Sequence, residues 1–189
     1  MKLIIASNNK HKIYEIKKIL GGKFDERISL SEAGIDHETV EDGATFMENA
    51  IKKASEIAEI SGCYSLADDS GISANALGGA PGIYSARFSG GTDEDNNNLL
   101  LEKLRDKEDK SAYYTCAMAL CSPSGELTLA EGYMYGSITE NRRGERGFGY
   151  DPLFVPTGET RTVAEMTDEE KNAISHRAKA LELLLEKLG

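Results

Sequence analysis

Two strand-forming runs joined by one short turn constrain this chain more than any other feature. Residues 112–121 (AYYTCAMALC) and 126–138 (ELTLAEGYMYGSI) are long, apolar and rich in aromatic or β-branched side chains. Between them lies only Ser122-Pro123-Ser124-Gly125, which is turn chemistry, so the two runs predict a β-hairpin. Around that hairpin, strands and helices alternate. Leu3-Ile4-Ile5-Ala6 reads as a buried strand, followed by a helix with Ile13, Ile16, Ile19 and Leu20 at helical spacing and Gly21-Gly22 as its stop. Arg27 to Leu30 suggests a second strand. Thr45 opens a helix with Phe46, Ala50, Ala54, Ile57 and Ala58 on its apolar face, and Glu48 is expected to reach back to the cap amide.

Tyr64 to Ala67 is the next strand, running into Asp68-Asp69-Ser70-Gly71. The glycine-rich stretch 77–91 is irregular. Thr92 caps a helix to about Leu104, with Asn96-Asn97-Asn98 on its solvated side. Pro152 to Val155 is a short strand, and residues 168–188 are helical behind a Thr167/Glu170 capping box, with a break near Ser175. Alternating elements plus one hairpin imply an α/β fold with a mixed sheet flanked by helices. There is no repeat, low-complexity tract or linker, so residues 1–189 are expected to form a single domain.

Charge and composition remove several classes of function. Lys and Arg number 22 against 32 Asp and Glu, a net charge of −10, which opposes non-specific binding to nucleic acid. A small anionic ligand needs only a local positive pocket and stays open. No apolar run approaches the roughly 20 residues of a membrane span. The start, MKLIIASNNKHK, turns polar too soon for a signal peptide, so a cytoplasmic protein is expected. Cys63, Cys116 and Cys121 are odd in number and form no C-x-x-C pair, which fits free thiols in a reducing compartment.

Four segments can carry chemistry. Ser7-Asn8-Asn9-Lys10-His11-Lys12 runs from a strand into a helix N-terminus, where unpaired amides and the helix dipole favour an anion. It lacks the glycine spacing of a P-loop, and a polar loop with a solvated lysine face is the alternative. Asp68-Asp69-Ser70 follows an apolar strand, and paired carboxylates there suit Mg²⁺ or a general base, or merely an Asp-rich turn. Glu41 is a further candidate carboxylate. Gly147-Phe148-Gly149-Tyr150-Asp151-Pro152 can present an aromatic face with Asp151 as acceptor, unless its rings are core. Lys171 and Ser175 lie one helical turn apart, and His176-Arg177 can donate to oxygens of a base or phosphate or form a solvated helix face.

Together and in this order, these segments closely resemble the inosine triphosphate pyrophosphatase family, whose members hydrolyse deaminated purine nucleoside triphosphates. The resemblance is carried by SNNKHK at 7–12, EDGATFMENAIKKA at 41–54, LADDSGI at 66–72, LGGAPGIYSARFSG at 77–90, GFGYDPLF at 147–154 and EEKNAISHRAKAL at 169–181. It implies an elongated sheet, two lobes with a nucleotide cleft between them, a homodimer, and the Mg²⁺-dependent reaction NTP + H₂O → NMP + pyrophosphate. Residue by residue, it implies that Ser7, Asn8, Asn9, Lys10, His11 and Lys12 hold phosphates, and that Asp69 is the general base with Ser70 touching substrate. Glu41 and Asp69 would hold Mg²⁺. Phe148, Gly149, Tyr150 and Asp151, with Lys171, His176 and Arg177, would bind the nucleotide and its base. The first loop reads Ser-Asn-Asn where Thr-Gly-Asn or Thr-Ser-Asn is more usual, which keeps the hydroxyl and Asn9. A pyrophosphatase for other nucleotides and a non-catalytic nucleotide-binding protein are the competing readings.

Overall fold

The strand β1 (Lys2–Ile5) shows how much of the chain is built. Its side chains alternate, Leu3 and Ile5 joining one apolar cluster and Ile4, with Ala6 just beyond, joining a second. The same alternation recurs in β4 (Ser111–Cys121), where Cys116, Met118 and Leu120 belong to the first cluster and Ala117, Ala119 and Cys121 to the second. Strands apolar on both sides need cover on both sides. Helix α1 (Lys10–Ile19) contributes Ile16, and α5 (His176–Leu188) contributes Ala180, Leu181 and Leu184 to the first cluster. Helix α2 (Phe46–Ser61) supplies Ala50, Ala54, Ile57 and Ala58 to the second.

The computed structural model describes residues 1–22 and 24–189. The fold is α/β. Six strands form one mixed sheet in the order β2-β1-β3-β4-β5-β6, with β2 (Glu26–Ser29), β3 (Tyr64–Ala74), β5 (Leu127–Ile138) and β6 (Phe154–Pro156). β1 runs parallel to β2 and β3, while β5 and β6 are antiparallel. The expected hairpin joins β4 to β5, its turn closed by Ser122 N donating to Glu126 O at 2.9 Å. The remaining helices are α3 (Asp93–Leu104) and α4 (Asp168–Ile174). Among the described residues, no helix is long and apolar enough to cross a membrane.

Packing divides the chain into two compact units, each assembled from separated segments. The first comprises residues 1–69, 116–132 and 177–189 and holds both clusters above. The second comprises residues 70–115 and 133–176, around Ile72, Leu100, Tyr114, Met134, Leu153 and Phe154.

Several expectations are corrected. β3 does not stop at Ala67 but continues through Asp68 and Asp69 to Ala74, because both carboxylates find buried partners. Asn96 and Asn97 are not solvated but buried, at 2% and 4% exposure. Asn96 Oδ1 accepts from Ser89 N and Oγ, and its Nδ2 donates to Ala86 O, so it ties down part of the glycine-rich stretch. Glu48 bonds Ala44 N, one residue before the cap amide. The last strand begins at Phe154, since residues 150–153 form turns that bring Leu153 N to Tyr150 O.

Gly136 shows how closely β5 and β6 approach. A Cβ there would lie 2.2 Å from Val155 O and 2.8 Å from Phe154 Cζ, so backbone would have to move. Gly136→Ala is expected to cost about 1–3 kcal/mol, as overpacking does. The measurement is thermal unfolding, with Tm lowered by roughly 3–10 °C for a chain of this size. A Tm equal to that of the parent would show that β6 does not hold β5 this tightly.

Candidate active site

Charge burial in the first unit starts from the pleat of β3. Successive side chains point to opposite faces of a strand, so Leu66 joins the first cluster and Ala67 the second. Asp68 then faces α1 and α5, and Asp69 faces α2. Asp68 is 1% exposed, and its Oδ2 lies 3.1 Å from Lys12 Nζ and 3.1 Å from Arg177 Nη2. Arg177 is also 1% exposed, and its Nη1 pairs with Glu15, itself buried on α1. Asp69 Oδ2 accepts from Asn49 Nδ2 at 2.9 Å, and its Oδ1 lies 3.6 Å from Lys53 Nζ.

These surroundings drive two adjacent carboxylates apart. For Asp68, burial opposes the charge, but Lys12, Arg177 and Lys53 outweigh it and hold its pKa well below the carboxylate range. For Asp69, burial dominates over Lys53, Lys12 and Asn49, Glu41 adds to the rise, and its pKa is raised. Divergence of this kind separates a fixed anion from a carboxylate able to take a proton. Burial also pushes the Cys116 thiol up to about 12, which makes it inert beside this cluster.

The segment bearing Glu41 is tied to α2. Lys53 Nζ donates to Glu41 at 2.6 Å and to Asp68 O at 2.8 Å, while Lys52 pairs with Asp42 at 2.7 Å. Asn49 works at both ends, since its Oδ1 accepts from Gly43 N at 2.8 Å while its amide holds Asp69. Burial works against the charge on Lys53, but Asp69, Asp68 and Glu41 more than offset it and raise its pKa. Glu41 and Asp69 therefore flank one cationic position. Among the described residues, no three carboxylate, imidazole or thiolate groups converge as a closed metal cage. The position between Glu41 and Asp69 is filled by the Lys53 ammonium, and a pair of carboxylates is the kind of partial set from which Mg²⁺ takes few protein oxygens, completing its shell with water and phosphate.

The first loop is ordered as a helix start. Asn9 Oδ1 accepts from His11 N and Lys12 N, capping α1, and Asn9 N donates to Ser7 Oγ at 3.1 Å. Asn8, Asn9, Lys10 and His11 are exposed. Asn9 thus takes two of the helix-start amides, and Lys12 reaches inward to Asp68.

The second unit holds the other candidates. Asp151 is buried; its Oδ2 accepts from Lys171 Nζ at 2.8 Å and Phe148 N at 3.1 Å, and its Oδ1 from Tyr114 OH at 3.2 Å. Lys171 Nζ lies over the Phe148 ring, 4.9 Å from its centroid. A Cβ at Gly147 would fall 2.2 Å from Asp151 Oδ2, and its φ of +76° favours glycine, so the motif needs that residue. Gly149 is held from both sides, its N donating to Asp93 and its O accepting from Asn97. Ser70, half-buried, follows Asp69 on β3. His176 is 4% exposed and stacks on Tyr114.

One reading changes. Tyr150 is not a stacking surface, because it is 4% exposed and its OH donates to Ser85 O at 2.7 Å; only Phe148 of that pair keeps a partly open ring. The Arg177 guanidinium meets Asp68 and Glu15 inside the first unit, so it is not part of a solvated helix face. Sequence reasoning missed Glu15, Asn49, Lys53 and Tyr114. The signal for two of them was present, since Asn49 and Lys53 sit four apart beside the Ala50/Ala54 apolar face.

Comparison with known proteins shows the family. Residues 3–187 match the Ham1 family. The chain is similar to the dITP/XTP pyrophosphatase of Clostridium perfringens, at 49% identity covering 99% of this chain and 97% of that protein. It is similar to the Bacillus subtilis dITP/XTP pyrophosphatase at 45% identity, covering 96% and 93%. Among solved structures, the Ham1 protein of Staphylococcus aureus superposes with a TM-score of 0.89 at 39% identity, covering 100% of this chain and 98% of that one.

Removing Arg177 would leave Asp68 and Glu15 short of a cation. Arg177→Met is expected to destabilise by roughly 3–5 kcal/mol near pH 7, the usual cost of halving a buried ion pair. The folded pKa of Asp68 lies below its ordinary value of 3.8, so its stabilisation is present above that value and lost as pH falls through the depressed one. The deficit of the variant, measured by denaturant unfolding, should therefore shrink on acidification below about pH 4. A deficit independent of pH would show that Arg177 acts through packing alone.

Proposed function

The chain belongs to the Ham1 family, and on that premise we propose that it hydrolyses deaminated purine nucleoside triphosphates, dITP, ITP and XTP, to the monophosphate and pyrophosphate. The observation that carries this reading is the pair Asp68 and Asp69, adjacent on β3 yet driven to opposite pKa behaviour. Asp69, with its raised pKa, accepts a proton from the attacking water. The water oxygen bonds to the α-phosphorus, the bond to the bridging oxygen breaks, and pyrophosphate leaves. Asp68 stays ionised and keeps Lys12 and Arg177 in place.

Glu41 and Asp69 would hold Mg²⁺, which when bound supplies neutralising charge for the phosphates. The start of α1, with exposed Asn8, Asn9, Lys10 and His11 and inward-reaching Lys12, offers side-chain amide and cationic donors to the triphosphate. Ser70 contributes a hydroxyl. In the second unit, Phe148 offers a ring to the base, while Lys171 and His176 are donors suited to a six-oxo purine. A donor facing the six-amino group of adenine leaves both unpaired, at a cost of about 1–3 kcal/mol per buried group. The family resemblance supports a homodimer. Three free cysteines and a nucleotide-pool substrate support a cytoplasmic location.

Two measurements test this. Incubation with ITP and Mg²⁺ should release IMP and pyrophosphate in equal amounts, with no orthophosphate, and with ATP turned over much more slowly. Release of orthophosphate would reassign the bond that is cut. Asp69→Asn should keep the fold and lower kcat by about 10²–10⁴-fold, the usual contribution of a general base. A variant within about tenfold of the parent, a barrier change of only ~1.4 kcal/mol, would remove Asp69 from that role.

A further inference from the structure

Tyr114 on β4 touches two of the groups given to the base and is itself assigned to nothing. Its ring stacks on the His176 imidazole, with centroids 4.6 Å apart and planes 11° from parallel. Its hydroxyl donates to Asp151 Oδ1 at 3.2 Å. Its ring edge packs on Phe154, 4.8 Å away and tilted by 63°, and the whole side chain is 6% exposed. The other oxygen of Asp151 is the one that orients Lys171 and the Phe148 amide. One rigid side chain on a strand therefore fixes the plane of the imidazole and one end of the carboxylate that positions Lys171.

We infer that Tyr114 is a specificity-determining positioning residue, locking His176 and the Asp151–Lys171 pair into one geometry suited to a six-oxo purine. The inference rests on the base-reading role proposed above for those groups. Stacking restrains the imidazole to rotation in its own plane, and the hydroxyl bond removes the rotational freedom of the Asp151 carboxylate. Loosening either lets donors retreat from an unfavourable partner, which relieves adenine more than hypoxanthine. Discrimination then falls further than overall rate.

The test compares kcat/KM for ITP and ATP in Tyr114→Phe and Tyr114→Leu. Tyr114→Phe keeps the stack and removes one hydrogen bond, so the ITP:ATP ratio should fall by about five-fold, within the span of one such bond. Tyr114→Leu removes the stack as well, and the ratio should fall further. A ring-current shift of the His176 Cε1 proton, present in the parent and Tyr114→Phe but lost in Tyr114→Leu, would report the stack without recourse to activity. Equal loss for both substrates in Tyr114→Phe would overturn the proposal, and that variant decides alone if Tyr114→Leu does not fold. His176→Ala and Asp151→Asn serve as references. If they change the ratio and Tyr114→Phe does not, only the role of Tyr114 fails. If none of them changes it, the base-reading assignment fails as well.

Discussion

The buried contact of Asp68 with Lys12 and Arg177 is the interaction on which the first unit depends. A carboxylate inside a sheet costs several kcal/mol unless it is paired and hydrogen-bonded. Here the cations come from α1 and α5, which flank β3 on the Asp68 side through the Leu3/Ile5/Leu66 cluster. Arg177 adds Glu15 to the set, so the charges nearly balance. That balance lets β3 run on through two aspartates as an eleven-residue strand.

The same strand explains how two neighbouring carboxylates acquire different chemistry. A period of two sends Asp68 and Asp69 to opposite faces. Two cations contact Asp68 directly. Asp69 meets a neutral amide, a more distant ammonium and the field of Glu41. Helix α2 serves that second face with residues one turn apart, Asn49 and Lys53, which also hold the Glu41 segment. The geometry around the carboxylate pair is thus set by regular elements, with the irregular segment clasped to them.

In the second unit, irregular backbone carries more of the candidate residues, and buried polar side chains hold it. Asn96 and Asn97 on α3 bond segments 86–89 and Gly149, and Asp151 gathers Phe148, Lys171 and Tyr114. Backbone groups that leave a sheet or helix must still be paired when buried. Asparagine meets that need because it offers donors and an acceptor from one side chain.

Local patterns determined a good deal of this protein. The hairpin, the capped helices and the break at Ser175 were legible because turn chemistry, caps and apolar spacing act within a few residues. The order of the motifs likewise carries the family resemblance. Tertiary structure decided which polar residues would be buried and with whom. By local pattern alone Asp68 could belong to an Asp-rich turn, Asn97 to a solvated side, Tyr150 to a stacking surface and Arg177 to a solvated helix face. Each is buried, and the partners of Asp68 and Arg177 include residues 56 and 162 positions away. Burial and ion pairing depend on contacts between segments remote in the chain, and no local periodicity encodes which of those contacts will form.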